Sequence, residues 1–103
     1  MSLMVYHGVE IPQDRIEAFC RRHRIRKLAL FGSILRDDFR PESDVDVLVE
    51  FEPGATPGFG FIGVQEELSG ILGHKVDLNT PQCLSKYFVD DVVREARVLY
   101  DAA

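Results

Sequence analysis

At 103 residues, 46% of them hydrophobic and 28% charged, the chain matches an ordinary globular domain and leaves little room for a second core, so one domain over 1–103 is expected. No apolar stretch is long enough to span a bilayer, and the opening Met-Ser-Leu-Met-Val-Tyr-His run is too short and uncharged for a secretory signal, which leads to the expectation of a cytoplasmic protein with no membrane partner. The net charge of −5 repels polyanions and argues against long nucleic acid as the main substrate, whereas a single nucleotide can be neutralised locally by a bound cation.

No repeat, low-complexity tract or linker divides the sequence, and its pattern alternates helix and strand. Pro12 suits a first helical turn, and Ile16, Phe19, Cys20 and His23 recur at spacings of three and four, predicting a helix over about 12–24. Leu28, Ala29, Leu30 and Phe31 form a short apolar run stopped by Gly32, the pattern of a buried strand, and 33–39 reads as a short helix. Val45–Phe51 alternates and is β-branched, a second strand with Asp44 and Asp46 at its start. Residues 52–60 carry the Pro and Gly of a mobile loop, Phe61–Leu72 resumes helical spacing, and Gly73 ends it. A third strand is expected over 75–78. The last helix is expected over 84–100, with Phe88, Val92, Ala96 and Leu99 on one face and Asp90, Asp91, Arg94 and Arg97 turned to water.

Several conspicuous residues carry no chemistry on this reading. Cys20 and Cys83 form no ligand or disulfide pattern, and His7, His23 and His74 fall in no metal-binding spacing, so all five read as packing or surface residues. Arg21, Arg22, His23, Arg24, Arg26 and Lys27 form a basic cluster that suits a solvated helix end, where cations meet the macrodipole. Ser85-Lys86-Tyr87-Phe88 reads as helix entry and core packing. Phe59 and Phe61, set among glycines, could stack on a base, dock a partner or fold back onto the core.

The acids are different. Residues two apart on a strand project from one face about 6.5–7 Å apart, so Asp44 and Asp46 point together while Val45 and Val47 point the other way. Asp77 repeats the arrangement between Val76 and Leu78, and if its strand lies near the second, three carboxylates meet. Like charges so placed repel unless a hard cation lies among them. Mg²⁺ favours a few carboxylates plus substrate phosphates, and a pair of such ions serves phosphoryl transfer by activating the attacking oxygen and stabilising the leaving one. Gly32-Ser33, at a strand-to-helix junction, would supply close backbone approach, free N–H groups and a hydroxyl for phosphate. Arg36, one turn on, would contact the triphosphate or pair with a nearby acid.

Gly32-Ser33, ten further residues and Asp44-Val45-Asp46, within GSILRDDFRPESDVDVLVEF, resemble the signature of the polymerase β-like nucleotidyltransferases. By residue frequencies this G-S and D-x-D spacing arises by chance in about one chain of this length per thousand. The resemblance implies an α/β fold with a small mixed sheet flanked by helices. It makes Gly32 and Ser33 the triphosphate contacts, Asp44 and Asp46 the metal ligands, Asp77 the third catalytic acid, which activates the acceptor hydroxyl and shares the site of two Mg²⁺ ions, and ATP the nucleotide; Arg36 joins the nucleotide-binding candidates on its position alone. Asp37-Asp38 departs from the small residues frequent after this arginine and brings acidic charge near the phosphate pocket. The resemblance also implies a minimal nucleotidyltransferase antitoxin that transfers AMP to a tyrosine hydroxyl of a HEPN-domain toxin. An antitoxin acting only by occlusion and a small-molecule nucleotidyltransferase completed at a dimer interface are the alternatives.

Overall fold

The computed structural model describes residues 3–37, 39–55, 57–83 and 86–102, with the side chains of Leu3, Cys83 and 86–89 left aside. Asp38, Leu84 and Ser85, and the Phe88 side chain expected on the apolar face of the last helix, lie outside the described residues.

Strands β1 (Leu3–Tyr6) and β2 (Val9–Pro12) form an antiparallel hairpin closed by His7 and Gly8, both at positive φ (50° and 85°), a two-residue loop whose twist matches its strands. Helix α1 (Gln13–Arg22) follows directly and buries Ile16, Phe19 and Cys20. Strands β3 (Ile25–Phe31), β4 (Val45–Phe51), β5 (Val76–Asn79) and β6 (Arg97–Asp101) build one sheet in the order β5-β4-β3-β6. β3 is antiparallel to both β4 and β6, while β5 runs parallel to β4 and is reached through α2 (Phe61–Leu72). The sheet is mixed and flanked by helices, as expected.

Alternation along the strands separates two faces. Leu28, Leu30, Val45, Val47, Val49, Val76 and Leu78 join Ile16, Phe19, Val64, Leu68 and Leu72 in one buried core, which places α1 and α2 on that face. Lys27, Ala29, Leu48, Glu50 and Val98 belong to the other face, where Val93 of α3 (Lys86–Glu95) and Ala96 lie against them. Phe31, Asp46 and Asp77 share this second face, because Phe31 pairs with Asp46 across β3–β4 and Asp46 pairs with Asp77 across β4–β5.

One element was not expected and two expectations are corrected. The hairpin was not foreseen, since histidine takes the loop position where asparagine or aspartate ordinarily tolerates positive φ. The segment 33–39 forms only a single 3-10 turn, Gly32–Leu35, because Arg36 is extended (φ −119°, ψ 159°) and stops further winding. The last helix ends at Glu95, and Arg97–Asp101 is a strand instead of its final turn. The Val98-Leu99-Tyr100 run has strand-forming chemistry, and the open side of β3 offers a ladder of backbone partners; a bulge between Leu28 and Ala29 then lets Leu99 stay buried. Gln13 Nε2 ties α1 to this strand by donating to the Leu99 carbonyl at 2.6 Å.

Leu68 is fully buried where α2 meets the sheet. Leu68→Ala is expected to cost about 2–5 kcal/mol, read as a lower denaturant midpoint at unchanged slope.

Candidate active site

The acids gather at the end of the sheet where β3 finishes and β4 and β5 begin. Asp46 and Asp77 are register partners on adjacent parallel strands, a separation of about 4.8 Å between backbones. The Asp46 carboxyl is raised above its ordinary range by burial first, then by the negative charges of Asp77 and Asp44; a hydrogen bond from the Ser33 backbone N–H and the positive charge of Arg36 pull the other way. Asp44, Asp77, Ser33 and Arg36 therefore all act on the charge of one carboxylate, and Gly32 lies against it. A Cβ built on Gly32 would overlap the Asp46 carboxylate and lie 3.2 Å from its Cγ, and the backbone there has φ +76°, so glycine is required on both counts.

The Ser33 amide is thus already committed to Asp46, and one 3-10 turn has no helical dipole to offer. The space that a side chain would take at Gly32 is filled by the Asp46 carboxylate, so the capacity of this turn for phosphate rests on the Ser33 hydroxyl. Asp37 is exposed, whereas Asp38 lies outside the described residues.

Side chains that the sequence reading did not single out hold the acids in place. β5 is an edge strand, and two of its amides are satisfied by α2: Val76 N–H donates to Ser69 Oγ at 3.0 Å and Leu78 N–H donates to Gln65 Oε1 at 2.9 Å, on either side of Asp77. Gln65 and Ser69 stand four apart, one turn of helix, and that spacing of polar residues on a core-facing helix is the signal that was available. Before β4, His74 Nε2 donates to the Ser43 carbonyl at 2.6 Å, and Val45 N–H bonds the Lys75 carbonyl at 2.8 Å. His74 also packs on Phe39, whose ring meets His7, so two of the histidines pack around the loop that delivers Asp44.

The basic cluster is largely neutralised at the surface. Arg21 faces Glu17, Arg22 and His23 face Glu67, and Arg24 faces Glu52. Cys20 is buried, and burial with the nearby Glu17 pushes its thiol up to about 12, which leaves it unreactive. Phe61 packs on Phe51, whereas Phe59 is fully exposed.

A divalent cation suits the chemistry of this donor set: hard oxygens, mutually repelling, around a carboxylate that resists ionisation when unaccompanied. Among the described residues no group of three or more His, Cys, Asp or Glu side chains is placed to hold a metal ion, so the structure does not bring Asp44, Asp46 and Asp77 together as one ligand set. The carboxylates would therefore supply part of a coordination shell, as is usual for Mg²⁺, which retains water and takes substrate phosphate.

A small mixed sheet with paired strand-end acids facing a Gly-Ser turn is the architecture of a nucleotide-transferring enzyme. The sequence profile of the nucleotidyltransferase domain family matches residues 14–99, and the chain belongs to that family; it is a nucleotidyltransferase. It is 37% identical to the protein adenylyltransferase MntA of Thermococcus cleftensis over 95 residues, 91% of this chain and 86% of the relative. A solved structure described provisionally as a minimal nucleotidyltransferase superposes with a TM-score of 0.68 at 33% identity, covering 82% of this chain and 85% of that one. The fold is also shared with a chain of the complex between a tri-AMPylated Shewanella oneidensis HEPN toxin and MNT antitoxin, at a TM-score of 0.62 and 21% identity over 86% of this chain and 69% of the other.

The raised Asp46 carboxyl has a consequence for stability. It binds its proton more readily in the folded chain than in the unfolded one, so the fold loses stability as pH rises from 3.8 through the raised value. Asp46→Asn keeps an acceptor for the Ser33 amide and removes the charge. In EDTA its melting temperature is expected to exceed that of the wild type at neutral pH, with the gap closing as pH falls towards 3.8.

Proposed function

We propose that the chain acts as a single minimal domain, a Mg²⁺-dependent protein adenylyltransferase that transfers AMP from ATP to a tyrosine hydroxyl of a HEPN-domain toxin and so serves as its antitoxin. The observation that carries this reading is the pairing of Asp46 with Asp77 across β4–β5, with Gly32 pressed against the Asp46 carboxylate. The identity to a named protein adenylyltransferase supports AMP as the transferred group, and the shared fold with the antitoxin of an AMPylated HEPN toxin supports the acceptor.

Asp44 and Asp46 would hold the metal, with Asp77 beside them. When bound, Mg²⁺ supplies charge neutralisation at the phosphates and at the oxygens that enter and leave. Asp77, exposed at the edge strand, faces the side open to an incoming protein and takes the proton of the acceptor hydroxyl. The hydroxyl oxygen forms a bond to the α-phosphorus, the bond from that phosphorus to the β-phosphate oxygen breaks, and pyrophosphate leaves in line. Gly32 makes room for the Asp46 carboxylate, and the Ser33 hydroxyl donates to the polyphosphate. Gln65, Ser69 and His74 keep the acids in register.

A second reading, neutralisation by occlusion alone, draws on the exposed Phe59 and Ile62 at the start of α2, which offer an apolar contact to a partner protein. Incubation with a HEPN-domain toxin, Mg²⁺ and ATP labelled at the α-phosphate separates the two: label on a toxin tyrosine is expected, and a tight unlabelled complex would leave only occlusion. Asp46→Ala is expected to lower transfer by about a hundredfold or more with the circular dichroism spectrum unchanged, as is removal of the metal with EDTA. An unaltered rate in Asp46→Ala would remove Asp46 from the mechanism.

A further inference from the structure

The register that pairs Asp46 with Asp77 also places a cation among the acids. Exposure alternates from residue 75 to 78: Lys75 and Asp77 are exposed, Val76 and Leu78 buried. The lysine therefore projects from the same face as the acid, about 6.5–7 Å before it along the chain. Val45 pairs with Val76, and the Val45 N–H bonds the Lys75 carbonyl at 2.8 Å, so one step back the same parallel register sets Lys75 beside Asp44. The backbone is held on both sides of this point, because His74 donates to the Ser43 carbonyl at 2.6 Å.

We propose that Lys75 is a further catalytic residue, whose ammonium donates to the acceptor hydroxyl oxygen as that oxygen gives up its proton. This inference rests on the nucleotidyl-transfer reading above.

Placement carries the role. Ser33, which would hold the polyphosphate, follows β3; Asp77, which would take the proton, lies on β5; and β4 runs between them. In-line displacement puts the entering and leaving oxygens on opposite sides of phosphorus, so an acceptor seated at Asp77 enters from the β5 edge, where Lys75 also stands. Lysine carries a compact charge on a flexible four-carbon stem, which suits it to reach an atom held by a neighbour on the same strand face. Lys75 forms no ion pair among the described residues. Arg15, Arg26 and Arg40 share that property, and what sets Lys75 apart is its face and its two registered neighbours, Asp44 and Asp77.

The reaction needs such a charge. A phenol ionises near pH ~10 and a carboxylate near pH ~4, so the proton moves uphill from a tyrosine to Asp77. The oxygen keeps the electron pair of the broken O–H bond and uses it to bond the α-phosphorus as pyrophosphate departs. While that pair is unshared, negative charge rests on the oxygen, and an ammonium fixed beside it stabilises the charge without releasing its own proton.

The test follows AMP transfer from α-labelled ATP, with Mg²⁺, to a HEPN-domain toxin by wild type, Lys75→Ala and Lys75→Arg. Each is run with tyrosine and with the more acidic fluorotyrosine at the acceptor position. Lys75→Ala is expected to lower kcat about a hundredfold with the KM for ATP and the melting temperature unchanged, and Lys75→Arg to recover part of the loss. On the fluorotyrosine toxin the loss is expected to shrink severalfold, since a more acidic phenol needs less help. A loss of equal size on both acceptors would overturn the proposal, because a residue serving only the fold or the phosphates is indifferent to the acidity of the phenol. An unaltered rate would overturn it too, as would a raised KM for the toxin at unchanged kcat, which would make Lys75 a docking contact. A wild-type chain that labels neither toxin would instead bring down the transfer reading, and this inference with it.

Discussion

Close contact between Gly32 and the Asp46 carboxylate is the constraint around which this molecule is organised. Any side chain at position 32 would occupy the space of that carboxylate, and the backbone there is in the left-handed region. The Ser33 amide then turns the contact into a hydrogen bond. The turn after β3 and the acid at the start of β4 are thereby locked together, and the antiparallel register Phe31 to Asp46 brings them to the same place from below. An acid so held is costly: it is partly buried and faces two others of its own charge. Such repulsion is what a divalent cation beside the carboxylates would relieve.

The scaffold pays attention to the edge. β5 carries Asp77 and has a neighbour on one side only, a position at which strands ordinarily fray or pair with other chains. Two α2 side chains, Gln65 and Ser69, take up its outward amides, so the helix that crosses from β4 to β5 also fastens the strand it delivers. His74 does similar work on the approach to Asp44. These contacts do no chemistry, yet they decide whether three carboxylates from two strands remain within reach of each other.

β6 completes the other side of the sheet. Its recruitment closes the open face of β3, buries Leu99 and sets Arg97 beside the turn that carries Gly32. The β1–β2 hairpin contributes Tyr6 and His7 to a hollow that Arg97 also lines.

Local pattern was enough for β4 and α2, whose limits follow directly from alternation in Val45–Phe51 and from helical spacing closed by Gly73. Strand periodicity also put Asp44 and Asp46 on one face and Asp77 in a like position, while Gly32-Ser33, by itself an ordinary turn, stood out through its spacing to those acids and its likeness to the polymerase β-like signature, with Arg36 one turn on. Local pattern was not enough for Arg97–Asp101, whose residues fit a helix nearly as well as a strand until β3 offers them hydrogen-bond partners more than sixty residues away in the chain. Nor did it reveal the His7-Gly8 hairpin, the arrest of the turn at Arg36, or Gln65 and Ser69 as fastenings of β5. What the sequence by itself determined was the set of chemical groups and the face each strand would present. Only the tertiary structure decided which strands lie side by side, since pairing depends on backbone groups that every residue carries alike and on burial that no short segment can complete alone.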